Sequence, residues 1–96
     1  MSGTNKSSGI KSADSLINTG AAILAGVQII TDKTNDMTLT IYDNTSAAGT
    51  VVFKQIVTGT DDSLTYWLDV GTRCKTGIYA DMDLAAGTGE YIIFYR

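Results

Sequence analysis

Ninety-six residues suffice for one domain and not for two. There is no histidine and only one cysteine, Cys74, which rules out an internal disulfide and leaves no zinc-type ligand set. The net charge is −3 and the seven basic residues are scattered, so no basic stripe of the kind nucleic acid needs is present.

Residues 1–14 are Ser, Gly, Lys and Asn around an isolated Ile10. This composition cannot bury enough to order itself, so an extended N-terminal arm is expected, available to clamp a neighbouring copy. Its removal is expected to leave the remaining domain, residues 15–96, folded. The arm has no apolar central run, so it does not read as a secretory signal, and synthesis in the cytoplasm is expected.

From Ser15 onward strand signals recur at short intervals. "LIN" (16–18) reads as a short edge strand. "ILAGVQIIT" (23–31) is apolar and β-branched, with Gly26 inside it as the mark of a bulge or a close backbone approach. The apolar run "AAILAGVQII" is ten residues long, against roughly 20 for a membrane helix, so no membrane span is expected.

"DKTND" (32–36) is a polar turn. "MTLTIYD" (37–43) sets Met37, Leu39 and Ile41 against Thr38, Thr40 and Tyr42, the period of a half-buried strand. "TVVFKQIV" (50–57) follows a small-residue loop. In "SLTYWLDV" (63–70), Leu64, Tyr66 and Leu68 alternate with Thr65 and Trp67. "GTRCKTG" (71–77) reads as a loop, "IYADMDL" (78–84) as a strand, and "YIIFYR" (91–96) as the last strand.

Six to seven short strands with regular turn signals and no sustained helical period predict an all-β fold. The expected architecture is a single antiparallel β-sandwich, jelly-roll-like or Ig-like. The last strand is apolar on both faces, Tyr91, Ile93 and Tyr95 against Ile92 and Phe94. A one-core sandwich should be polar outside, so a subunit interface is expected here. Association would also offset the modest burial of so small a domain.

Chemistry is sparse. In "YDNTSAAG", Asp43, Asn44 and Gly49 suit a turn. A calcium site would need them to converge with the distant Asp61 or Asp62. Asp81 and Asp83, two apart on a strand, share a face and could in principle serve hydrolysis or cation binding. A solvated strand face explains them as well. Cys74 lies between Arg73 and Lys75, which would lower its pKa, but no histidine is available to pair with it, so it reads as an incidental loop thiol. No serine has a histidine base. Neither an enzyme nor a cofactor or metal site is expected. Tyr42 and Trp67 are open to two readings, core packing or a sugar-stacking surface.

"LTIYDNTSAAGTVVF", "TGIYADM" and the terminal "YIIFYR" together resemble short β-sandwich virion proteins of tailed bacteriophages. The resemblance covers about Ile23 to Arg96. It implies a many-copy virion structural protein, of the head decoration or cement type, on the capsid surface. The implied partners are the major capsid protein and copies of the chain itself, as a trimer or dimer, with no nucleic acid and no membrane. The contact candidates are Ile10, Tyr91, Ile92, Ile93, Phe94 and Tyr95. The alternative is a host-recognition module of a tail fibre or baseplate that contacts glycans through Tyr42 and Trp67.

Overall fold

Alternation of apolar and polar residues carries through, among the described residues, into eight strands and no helix. The computed structural model describes residues 5–59 and 63–96. The strands are β1 (Lys6–Ser7), β2 (Ser15–Thr19), β3 (Ala22–Thr31), β4 (Met37–Asp43), β5 (Thr50–Val57), β6 (Ser63–Cys74), β7 (Gly77–Leu84) and β8 (Gly89–Tyr95). They form two four-stranded antiparallel sheets, β1-β8-β3-β6 and β2-β7-β4-β5. The pairs nest: β4 with β5, β3 with β6, β2 with β7 and β1 with β8. This is the strand order of a jelly roll, in which a long hairpin wraps across two sheets. An Ig-type sandwich groups its strands differently.

The core lies between the sheets. Leu24, Val27 and Ile29 from β3 face Met37, Leu39 and Ile41 from β4, with Val57, Ile78, Ala80, Tyr91 and Ile93 completing it. Burying each large aliphatic side chain contributes about 1.5–3 kcal/mol. The inward set of β4 is the one its alternation predicts, and Tyr66 of β6 packs inward against Phe53, ring centroids 5.6 Å apart. Gly26 sits where predicted, at the register shift between Leu24 and Gly26.

Three segments differ from expectation. The "GTRC" segment is not a loop: β6 runs on to Cys74, pairing Thr72, Arg73 and Cys74 with Leu24, Ile23 and Ala22. Gly71, at φ +80°, takes the bend that lets the strand continue, in the left-handed region that glycine tolerates. Cys74 is therefore a fully buried core residue.

The arm is the second difference. Residues 1–4 lie outside the described residues, but residues 6–11 run along β8 of the same chain rather than away from it. Lys6 and Ser7 pair with Tyr95 and Phe94. The Ser8 N–H donates to the Ile93 carbonyl at 2.8 Å, and the Ser8 hydroxyl accepts from the Ile93 N–H at 2.9 Å. Lys11 and Tyr91 exchange both backbone hydrogen bonds at 2.9 Å. The exposed edge of β8 needs partners for its backbone groups, and the arm supplies them. Composition alone carries no trace of this demand.

The third difference concerns the interface candidates. Tyr91 and Ile93 point into the core and are fully buried, so they are not available to a neighbour. Tyr95 packs against the core edge. Ile92 and Phe94 face outward, and Ile10 is 62% exposed.

Candidate functional site

The carboxylates at strand ends fasten loops. Asp43, at the end of β4, accepts from the backbone N–H groups of Lys75, Thr76 and Gly77 at 3.0, 2.8 and 3.4 Å. These bonds, those from Lys75 and Thr76 foremost, hold its carboxyl below the usual carboxylate range. Asn44 donates to the Ala48 carbonyl at 3.0 Å and accepts from the Thr45 N–H, and Gly49 turns at φ +83°. "YDNTSAAG" is thus a turn plus a clamp on the β6–β7 connection. Asp61 and Asp62 lie outside the described residues.

Asp32 does the same work at the other end of the sandwich. It accepts from the N–H groups of Thr34 and Asn35 and from the Asn35 amide, and it reaches Thr88 in the β7–β8 turn. The Asn35 amide leads in holding its carboxyl far below the usual range.

The sign of the pH response follows. A carboxyl with a depressed folded-state pKa stabilises the fold above its unfolded pKa, near 4, and loses that contribution as pH falls through the folded value. Acid unfolding of the wild type should therefore steepen below about pH 4. Asp43→Asn should flatten that limb in thermal melts recorded between about pH 6 and 2. An identical melting profile for the variant would remove Asp43 from the acid response.

Asp81 and Asp83 share an outer strand face as expected, and the structure adds Asp14. Asp14 accepts from the Met82 N–H at 2.8 Å, continuing the β2–β7 ladder with a side chain. Burial pushes the Asp81 carboxyl up, and Asp14 adds to this through its charge and a hydrogen bond between the two carboxyls. Among the described residues no group of three or more His, Cys, Asp or Glu side chains is placed to hold a metal ion.

Cys74 departs from the sequence reading in its chemistry too. Burial and the Asp43 charge raise its pKa, outweighing a backbone hydrogen bond at Leu24. A buried, protonated thiol is not a nucleophile.

What remains is the outer surface of each sheet, and both carry apolar rows. In the second sheet, Leu16 of β2 lies opposite Tyr79 of β7, Tyr79 opposite Tyr42 of β4, and Tyr42 opposite Val51 of β5. Opposed residues of antiparallel strands share a face, so the four form one row across the sheet, spanning about 14 Å. Tyr42 alternates with the buried Ile41, which puts the row outside. Leu16 is 45% and Val51 47% exposed. Ile56, further along β5, is also exposed on this sheet.

In the first sheet, Gly26 of β3 lies opposite both Phe94 of β8 and Trp67 of β6. The two rings approach to 5.0 Å between centroids, tilted by 36°. Trp67 is nonetheless 58% exposed.

The structure therefore regroups the sequence candidates. Tyr42 and Trp67 lie on opposite sheets and cannot act together. Phe94, a contact candidate, meets Trp67, a glycan candidate. Leu16, Tyr79 and Val51 escaped the sequence reading because a row across strands exists only once the pairing register is known. Comparison with known proteins finds no matching family model, curated protein or solved structure.

Proposed function

We propose that this chain is a structural protein of a tailed-bacteriophage virion, of the head decoration type, synthesised in the host cytoplasm and docked on the capsid surface. The single observation that carries the reading is the row Leu16–Tyr79–Tyr42–Val51, a flat apolar stripe across one whole sheet. Large apolar side chains aligned on an open face are the mark of a contact surface. Its partners are the major capsid protein and further copies of the chain itself.

Two further points support this reading. Among the described residues every buried side-chain nitrogen and oxygen has a hydrogen-bond partner, so no buried polar group there is left over for a ligand. The segments that resemble phage virion proteins also fall on coherent elements. "YDN" ends β4, "TVVF" lies within β5, "GIY" opens β7 and "YIIFYR" contains most of β8.

The test is immunogold labelling of phage particles with an antibody to this chain, alongside binding of the purified chain to undecorated capsids. Gold over the heads is expected. Gold confined to the tail would overturn the head assignment. Leu16→Asp combined with Val51→Asp should weaken capsid binding at least ~tenfold, because each carboxylate must be desolvated at the contact. Unchanged binding by a folded double variant would remove the row from the interface.

A further inference from the structure

The first sheet faces the opposite way from the row described above, and its outer surface is built differently. Strands β8 and β6 flank β3 and are two strand spacings apart, about 9.6 Å. Yet the rings of Phe94 and Trp67 meet at 5.0 Å. Trp67 therefore reaches over β3 toward Phe94, and Gly26 makes the space. A Cβ at this position would sit 2.5 and 2.7 Å from Cε3 and Cζ3 of Trp67. The six-membered ring of the indole rests on bare backbone, and the side chain as a whole is still 58% exposed.

Polar, uncharged side chains flank this ring pair, beside the apolar Ile92. Ser7 of β1 lies opposite Phe94 in the same row. One row along, Thr65 of β6 is exposed and stands opposite Gln28 of β3. Residues two apart on a strand are separated by about 7 Å, so Thr65 lies one sugar-ring width from Trp67.

We propose that this face is a carbohydrate-binding site. A pyranose ring presents C–H bonds on one flat side and hydroxyls around its rim. The flat side stacks on the exposed part of Trp67, which Phe94 backs, and the rim hydroxyls fall against Thr65, Gln28 and Ser7.

Other occupants fit less well. A stable protein interface buries ~800 Å² per partner, and the exposed apolar side chains around this site are Trp67 with the partly buried Phe94 and Ile92. A nucleobase would stack equally well, but its phosphates would meet a chain of net charge −3. A quaternary ammonium group is held by a cage of several rings, and a single stacked pair makes none. This site is independent of the capsid reading, since it lies on the other sheet.

Trp67 is the only tryptophan in the chain, so its fluorescence reports the site directly. The experiment titrates the full chain, without particles, with glucose, galactose, rhamnose and N-acetylglucosamine and with β-linked trisaccharides of glucose and N-acetylglucosamine, all to millimolar concentration. At least one sugar should shift Trp67 emission to the blue, saturably, and protect it from acrylamide quenching. By calorimetry with that sugar, Trp67→Ala should bind at least ~tenfold more weakly and Trp67→Phe should recover part of the loss. Thr65→Ala, which leaves the ring floor intact, should weaken binding several-fold. Circular dichroism checks that each variant is folded. No response to any sugar of the panel, or equal binding by Trp67→Ala, overturns the proposal. Because no capsid is present, that failure leaves the decoration reading standing.

Discussion

Tyr91→Phe is expected to lower stability by about 1–2 kcal/mol, although it changes one atom of a core side chain. The Tyr91 ring is fully buried, but its hydroxyl reaches the place where the arm joins β2. It donates to the Ala13 carbonyl at 2.7 Å and accepts from the Ser15 hydroxyl at 2.8 Å. Its backbone meanwhile exchanges both hydrogen bonds with Lys11. One residue thus fastens the arm on both sides of its turn toward the second sheet. In a domain of this size each kilocalorie lost lowers the melting temperature by about 4–8 °C.

Tyr91→Ala, which also empties the ring's place in the core, should cost about 3–5 kcal/mol. Amide exchange separates the two effects. In Tyr91→Phe the Ser8 and Lys11 amides should exchange faster while those of Leu39 and Ile41 keep their protection relative to global unfolding. A phenylalanine variant as stable as the wild type, with the arm amides still protected, would rule out the latch. The same geometry revises the expectation for arm removal. Deleting residues 2–14 strips β8 of an edge partner and leaves the Tyr91 hydroxyl without Ala13, so a loss of fold stability is now expected.

The second large effect is expected at Gly77. Its φ is ordinary, so the constraint is space. A Cβ at Gly77 would lie 2.8 Å from the carbonyl oxygens of both Asn18 and Asn44. Both neighbours are backbone, and neither can rotate away as a side chain would. Gly77 is where β7 enters between the end of β2 and the β4–β5 turn, and its N–H also points at Asp43. Gly77→Ala must push apart two segments that hydrogen bonds hold, with an expected cost of about 1–3 kcal/mol by the ordinary penalty for overpacking. Urea unfolding of wild type and variant measures it. A variant whose midpoint matches the wild type would show that the two turns yield freely. The close approach also gives a physical reason for the glycine at the head of "GIY".

Local pattern made most of the strands readable. β4 and β5 fall where alternation and turn chemistry place them, because each has one face in the core. The inward set of β6 follows from Leu64, Tyr66 and Leu68 for the same reason. Pattern failed where tertiary context overrode it. "GTRC" has the composition of a loop, yet it is held as strand by backbone pairing with β3 and by the burial of Cys74. The arm has the composition of a disordered tail, yet it answers the unpaired edge of a strand more than eighty residues away.

The candidate sites failed in a different way. Exposure of Trp67 was one of two open readings, and its partner Phe94 could not be known without the register across Gly26. The two-sided apolarity of β8 was legible. That Phe94 on its outward side stacks on Trp67 of the same chain was not.

The nesting of strand pairs also dictates an order of assembly. The β4–β5 hairpin closes a short loop, while each pair outside it closes a longer one at greater entropic cost. β1 pairs only with β8, at the edge of its sheet, so the arm is expected to be the first element to fray. Opening proceeds from the outside inward, and Tyr91 stands at its first step. Cleavage by a protease at Lys6 or Lys11 therefore reports the opening of this outermost layer, well before the core yields.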